Sequence, residues 1–246
     1  MRRHWKLILG IVVAVLLAVG VAGYLWLTDL AGPMPEAETA LESDAAVSVE
    51  TEPWLTFTPA EPSTTGFIFY PGGRVSAESY APPVRAIAEA GYLSVVPSMP
   101  LGLAVLSPDA ADGIIEAYPD VERWVIGGHS LGGVMAADYA GAHEIVEGLA
   151  LWASYPADGT DLSDTVLEVA SIYASEDGLT TLDDIESSRA QLPAQASLVE
   201  IEGGNHAGFG WYGEQDGDGV ATISREEQQA QVVTATRAVL EAVEAD

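Results

Sequence analysis

Apolar and polar positions change their rhythm along the chain. Leu7 to Leu27 carries no charge and shows no period. Past residue 47, short apolar runs alternate with amphipathic stretches, and Gly and Pro punctuate them. Gly66 to Tyr70 is such a run, stopped by Pro71-Gly72-Gly73, and Tyr92 to Val96 is another, stopped by Pro97. Runs this short, rich in β-branched and aromatic residues, predict strands. The same signal predicts strands at Arg123 to Ile126, Gly148 to Ala153, Leu167 to Ala174 and Ser197 to Ile201, and one or two within Val47 to Phe57. Helical spacing predicts helices at Tyr80 to Glu89, Asp109 to Tyr118, Ser130 to Ala142, Leu182 to Leu192 and Arg225 to Ala245. Gly91 sits where a C-terminal glycine would close the first of these. The last carries Val232, Val233, Ala235, Val239, Leu240 and Val243 on one broad face.

Continuous apolar strands between amphipathic helices argue for an α/β fold: three layers, a mostly parallel sheet, and helices on both faces. No repeat or break in composition interrupts residues 47–246, so one domain is expected there. Thr28 to Ala46 is rich in Ala, Glu and Pro without a long apolar pattern, which predicts an exposed linker over 28–46.

Leu7 to Leu27 is 21 residues long. As a helix it would span about 31 Å, enough for the hydrocarbon core of a bilayer. A cleaved signal peptide has a shorter apolar region and a small-residue cleavage site; the end of this run, Gly23-Tyr-Leu-Trp-Leu27, offers neither. One transmembrane helix over 7–27 is therefore expected. The basic residues Arg2, Arg3 and Lys6 lie in the cytoplasmic end 1–6, and the domain faces outward. Secretion after cleavage is the alternative.

Composition narrows the chemistry. The 246 residues contain 37 acids, 9 bases, 4 His and no Cys, for a formal net charge of −28. Without Cys there is no disulfide, thiolate metal site or Cys nucleophile. Such acidity opposes nucleic-acid binding, which needs clustered Lys and Arg. It suits either a saline habitat, where repulsion is screened to about 3 Å at 1 M salt, or a genome that favours Ala, Asp, Glu and Arg codons.

Gly128-His-Ser-Leu-Gly132 is G-x-S-x-G between an expected strand and an expected helix. That context places Ser130 on a sharp turn as a nucleophile, with Gly128 and Gly132 keeping the turn clear. A serine hydroxyl needs a base and an orienting acid. His4 precedes the expected span, His143 lies near a helix end, and the side chain of His129 should point away from the serine. His206, in the Gly-rich loop after the last strand, is the expected base. Asp177, just past an earlier strand end and between Ser130 and His206 in chain order, is the expected acid, and the adjacent Glu176 could serve instead. Oxyanion donors are expected at the Leu131 N–H and at Gly73, with Arg74 close behind. Asp216-Gly-Asp-Gly219 hints at a calcium loop. A count from Glu214, however, puts Arg225 where the bidentate Glu belongs. No metal or cofactor is called for, and the loop reads as a solvated rim.

These residues resemble the α/β-hydrolase superfamily, and more narrowly the small lidless bacterial hydrolases grouped with dienelactone-hydrolase-like enzymes. The matching pieces are Phe69-Tyr-Pro-Gly-Gly73, Ala90-Gly-Tyr92, Gly127-Gly-His-Ser-Leu-Gly-Gly133, Tyr173-Ala-Ser-Glu-Asp-Gly178 and Glu202-Gly-Gly-Asn-His206, followed by Gly208-Phe-Gly210 and the 218–224 loop. The resemblance implies cleavage of esters, thioesters, lactones or some amides without metal or organic cofactor. The nucleophile here is a serine, not the cysteine of true dienelactone hydrolases. The roughly 14 residues after the strand at Gly148 to Ala153 leave little room for a cap. The expected function is a serine hydrolase of the esterase type acting on a small-molecule ester. The alternatives are an acyltransferase with the same triad and a silent hydrolase-like binding domain at the cell surface.

Overall fold

The structure, a computed structural model, describes residues 4–245. Arg2 and Arg3, and the side chains of residues 4, 6–8, 26 and 27, lie outside the described residues. The chain forms two compact units, Met1–Leu30 and Ala31–Asp246. The first unit holds helix α1 (His4–Thr28). Its described side chains run unbroken from 9 to 25 and are exposed. Among the described residues, no helix is long and apolar enough to cross a membrane, so the span expected at 7–27 finds no support here.

The second unit is built on one eight-stranded sheet in the order β1-β2-β4-β3-β5-β6-β7-β8. The strands are β1 (Val47–Glu50), β2 (Leu55–Pro59), β3 (Thr65–Tyr70), β4 (Leu93–Val96), β5 (Arg123–His129), β6 (Val146–Trp152), β7 (Glu168–Ala174) and β8 (Ser197–Ile201). β1 and β2 pair antiparallel to their neighbours, and the other six strands run parallel. Between them lie α3 (Ala81–Glu89), α4 (Ala110–Ala117), α5 (Leu131–Ala142) and α6 (Leu182–Ser188), and α7 (Arg225–Ala245) follows β8.

Strand alternation sorts the core into two layers. In β3, Phe67 and Phe69 face one side with Val84 and Ile87 of α3 and Val232, Leu240 and Val243 of α7. Ile68 and Tyr70 face the other side with Ile114 of α4 and Ala136 and Ala137 of α5. Each large apolar side chain removed from water contributes about 1.5–3 kcal/mol. The broad face expected on α7 is the buried one, with Val233 and Ala235 at its margin. The 153–167 stretch between β6 and β7 contains no helix or strand, which leaves that side of the sheet without a helical cap.

The linker expectation is corrected. Residues 31–46 lie against the domain, from Ala31 onward in the same compact unit. Ala31 bridges to Val75, the Met34 N–H donates to the Trp211 carbonyl at 2.8 Å, and Ala37 of the short helix α2 (Pro35–Thr39) is fully buried. The Arg85 guanidinium then fastens the following turn through the Ala40 and Glu42 carbonyls and the Asp44 carboxylate. Composition suggested solvent; one buried alanine and a handful of backbone donors decide otherwise.

Candidate active site

The parallel strands end together on one edge of the sheet, and the turns that leave them are strained there. Arg74, Leu101, Ser130 and Ala153 follow β3, β4, β5 and β6, and each has a positive φ of 62°, 54°, 51° and 43°. Non-glycine residues rarely adopt this conformation, and its cost persists where surrounding contacts enforce it. Ser130 stands between β5 and α5 with φ 51° and ψ −122°. Its carbonyl accepts the Ser154 hydroxyl at 2.7 Å. The half-buried Ser130 hydroxyl makes no hydrogen bond among the described residues.

The turn brings α5 so close to the strands that two positions in it admit only glycine. A Cβ on Gly128 would fall 2.5 Å from the Gly132 carbonyl carbon, and one on Gly132 would fall 2.2 Å from the Tyr70 carbonyl oxygen. Both obstacles are backbone, so no rotamer change relieves them.

His206 follows β8 and Asp177 follows β7, two neighbouring parallel strands. His206 Nδ1 lies 2.8 Å from Asp177 Oδ2, with side chains 1% and 0% exposed. The other carboxylate oxygen, Oδ1, accepts the N–H groups of Leu179 and Thr180 at 2.8 and 2.7 Å. Asp177 is thus held on both oxygens, while Glu176 is exposed and, among the described residues, its carboxylate pairs with the Ser175 hydroxyl. Of the two acids considered from the sequence, the structure puts Asp177 beside the imidazole. His143 lies elsewhere, stacked on Tyr139 at 3.8 Å.

The loop after β3 offers one donor. The Gly72 N–H donates to the Tyr80 hydroxyl at 3.0 Å, and the Arg74 N–H donates to the Gly102 carbonyl at 2.6 Å. The Gly73 N–H has no acceptor among the described residues. Gly73 also faces the start of α5: a Cβ there would sit 3.4 Å from Leu131 Cδ2. Helix α5 leaves its first N–H groups, that of Leu131 among them, without intrahelical partners.

Four contributors escaped the sequence reading. The His129 ring, expected only to point away from Ser130, is buried between Tyr80 and His206, with the two imidazole centroids 4.5 Å apart. Burial first, then the neighbouring His206, pushes the His129 pKa well below the ordinary 6.5. Burial raises Tyr80 well above 10, so its phenol keeps its proton. It accepts the Gly72 N–H and shares a hydrogen bond with His129 Nδ1 at 2.9 Å. The other three lie on α7. Gln228 clasps Asn205 through both its N–H and its carbonyl, Gln229 donates to the Gly208 carbonyl, and Arg225 reaches the carbonyls of Ala207, Gly210 and Gly213. Together they hold the His206 loop to the helix. Polar residues in the first turns of an amphipathic helix gave no sign of this, because their partners are backbone carbonyls far away in sequence.

Among the described residues no group of His, Asp and Glu is arranged to hold a metal ion. The arrangement instead places a serine on a sharp turn, a buried imidazole–carboxylate pair and two free backbone donors on one edge of the sheet.

The fold has close structural counterparts of low sequence identity. A protein of unknown function from Agrobacterium tumefaciens aligns with a TM-score of 0.58 at 13% identity, over 80% of this chain and 97% of its own. A thermophilic esterase from the planctomycete Thermogutta terrifontis, solved with butyrate bound, aligns with a TM-score of 0.56 at 14% identity, over 80% and 95%. A structure of esterase 2 of the same organism, phosphoramylated by tabun, aligns with a TM-score of 0.58 at 13% identity, over 82% and 96%. No curated protein matches the sequence. Residues 66–230 match the model of the alpha/beta hydrolase family, a stretch from the second residue of β3 into the first turns of α7. The chain is a member of the alpha/beta hydrolase family.

Proposed function

We propose that the protein is a serine hydrolase that cleaves carboxylic esters through an acyl-enzyme on Ser130. The observation that carries this reading is the buried 2.8 Å pairing of His206 Nδ1 with Asp177 Oδ2 on the sheet edge where Ser130 turns. Asp177 accepts a hydrogen bond from Nδ1–H, which leaves His206 Nε2 with its lone pair to take the Ser130 proton. Ser130 Oγ attacks the ester carbonyl, and the N–H groups of Gly73 and Leu131 stabilise the oxyanion. His206 returns the proton to the departing alkoxide, which leaves as the alcohol. Water then attacks the acyl carbonyl as His206 takes its proton, the bond to Ser130 Oγ breaks, and His206 returns that proton to Oγ as the acid leaves. No step calls for a metal or an organic cofactor.

The absence of a helix between β6 and β7 supports an open site. The Thermogutta esterase found with butyrate suggests short acyl chains as the first panel. The test is labelling by a fluorophosphonate, with Ser130→Ala as control, followed by p-nitrophenyl esters of increasing chain length. Labelling lost in the variant is expected; equal labelling of both proteins would overturn the mechanism.

We also infer that the hydrolase unit is attached to a membrane and faces outward. The support is sequence alone: an uncharged run from Leu7 to Leu27 behind Arg2, Arg3 and Lys6. Carbonate extraction of membranes, with protease added to intact cells, tests it. Release into the soluble fraction would refute attachment, and full protection in intact cells would refute the outward orientation.

A further inference from the structure

The loop around Asp218 reads in sequence as a solvated rim, yet its carboxylate is the meeting point of two other loops. Asp218 Oδ1 accepts the N–H of His206 at 3.1 Å, of Gly178 at 3.2 Å and of Gly219 at 2.8 Å, and Oδ2 accepts the N–H of Ala207 at 2.8 Å. Gly178 is the residue after Asp177, and the His206 N–H belongs to the proposed base itself. One carboxylate therefore bridges the loop that carries the acid and the loop that carries the base.

Neither loop has a strand partner at this point, so each N–H needs an acceptor from elsewhere. A charged acceptor makes stronger bonds than a carbonyl. The other ties between the loops lie nearer the strands: Ser175 N–H to the Ile201 carbonyl, Gly203 N–H to the Ser175 hydroxyl at 2.8 Å, and Glu176 N–H to the Gly204 carbonyl at 2.9 Å. Asn205 and Gln228 fasten the flanks, with Asn205 Nδ2 reaching the Gly219 carbonyl at 2.8 Å. At the tips, the N–H groups of Gly178, His206 and Ala207 all donate to Asp218. The loops approach so closely that a Cβ on Gly219 would fall 1.9 Å from the Glu176 carbonyl oxygen. Four N–H donors aimed at one carboxylate present hydrogen atoms to it, the opposite of what a calcium ion would need from its neighbours.

We propose that Asp218 is a positioning residue that fixes the His206 imidazole against Asp177 by holding the backbones of both loops. The inference rests on the proposed roles of Ser130, Asp177 and His206. Misplacing a catalytic group by about 1 Å can cost about 100-fold in rate, and that is the effect expected here.

The experiment compares the full-length wild type with Asp218→Asn. Active sites are counted by fluorophosphonate titration, and kcat and KM for p-nitrophenyl butyrate are expressed per titrated site. Asn keeps the shape of Asp but turns one oxygen into an NH2 group facing N–H donors. The expected result is kcat per site down about 100-fold, with KM within about twofold. A role confined to stability would lower the number of sites and leave kcat per site unchanged, and that result overturns the proposal. If the Asn variant yields no folded protein, Asp218→Glu keeps the charge and shifts both oxygens by one methylene. It must show the same kind of per-site loss, and a per-site rate within twofold of wild type overturns the proposal. Failure of the wild type to label at all is a different outcome, which removes the triad reading and this inference with it.

Discussion

His206 Nδ1 and Asp177 Oδ2 lie 2.8 Å apart in a setting closed to solvent. Asp177 Oδ1 is already held by two N–H groups. In Asp177→Asn the amide oxygen must stay on those donors, so the NH2 group faces His206. Nδ1 then becomes the acceptor, the ring proton moves to Nε2, and the base can no longer take the serine proton. The expected loss in kcat is about 10⁴-fold, as for a wrong imidazole tautomer in a Ser-His-Asp triad, with the fold retained. Glu176→Gln, on the exposed neighbour, should change kcat by less than about twofold. Ester hydrolysis by the two purified variants checks this, and a reversed ranking would move the acid to Glu176.

His129 gives the fold a pH dependence that acts on stability. Its imidazole is buried neutral, with a pKa pushed well below 6.5, and it faces His206, Tyr80 and Tyr212. In the unfolded chain the ring binds a proton below about 6.5, while in the folded chain it does not. The unfolded state thus gains a proton as pH falls, and stability is lost from 6.5 down toward the folded value; above 6.5 there is no contribution. Between pH 6.5 and 5 this single group can account for up to roughly 2 kcal/mol. Tm should therefore fall more steeply over that range in the wild type than in His129→Gln, whatever the absolute stability of the variant. Parallel curves would show that His129 is not buried neutral.

Gly132 and Gly73 flank the same site with opposite tolerance. A Cβ on Gly132 meets the Tyr70 and Pro71 carbonyl oxygens at 2.2 and 2.4 Å, both backbone. Gly132→Ala should cost about 3 kcal/mol or more, because α5 must move off β3. A Cβ on Gly73 meets Leu131 Cδ2 at 3.4 Å, the end of a side chain that can turn. Gly73→Ala should stay within about 1 kcal/mol of wild type. Urea unfolding of the two variants reads both values, and equal losses would mean that the turn does not have the close approach described.

The features that could be read in advance are those that local chemistry dictates. Short apolar runs such as 66–70 and the Gly-Ser-Gly spacing at 128–132 act over a few residues, so the strands and the sharp turn at Ser130 were visible. What stayed hidden depends on partners far along the chain. Ala37 is buried by elements more than 30 residues away, and Asp218 acts on backbone N–H groups that no side-chain pattern encodes. The surroundings of His129 stayed hidden for a related reason: its ring packs against Tyr80 and His206 from other segments.

The acidic surface makes its own prediction, because few of its charges have a cation nearby. Among the described residues Arg85 pairs with Asp44 and Glu89, Arg123 with Glu147 and Arg237 with Glu241, while the Arg225 guanidinium is turned to backbone carbonyls. With 37 acids against 9 bases, most carboxylates have no base to pair with, and the folded state concentrates their repulsion. Salt shortens its reach from about 10 Å at 0.1 M to about 3 Å at 1 M. Tm should rise steeply with NaCl below about 0.5 M and flatten beyond it, since screening saturates once its length falls below the spacing of charges. A slow, unsaturating rise that appears only with sulfate would instead report stronger apolar burial. A Tm that does not move between 50 mM and 0.5 M NaCl would remove the saline-habitat reading and leave codon composition as the source of the acidity.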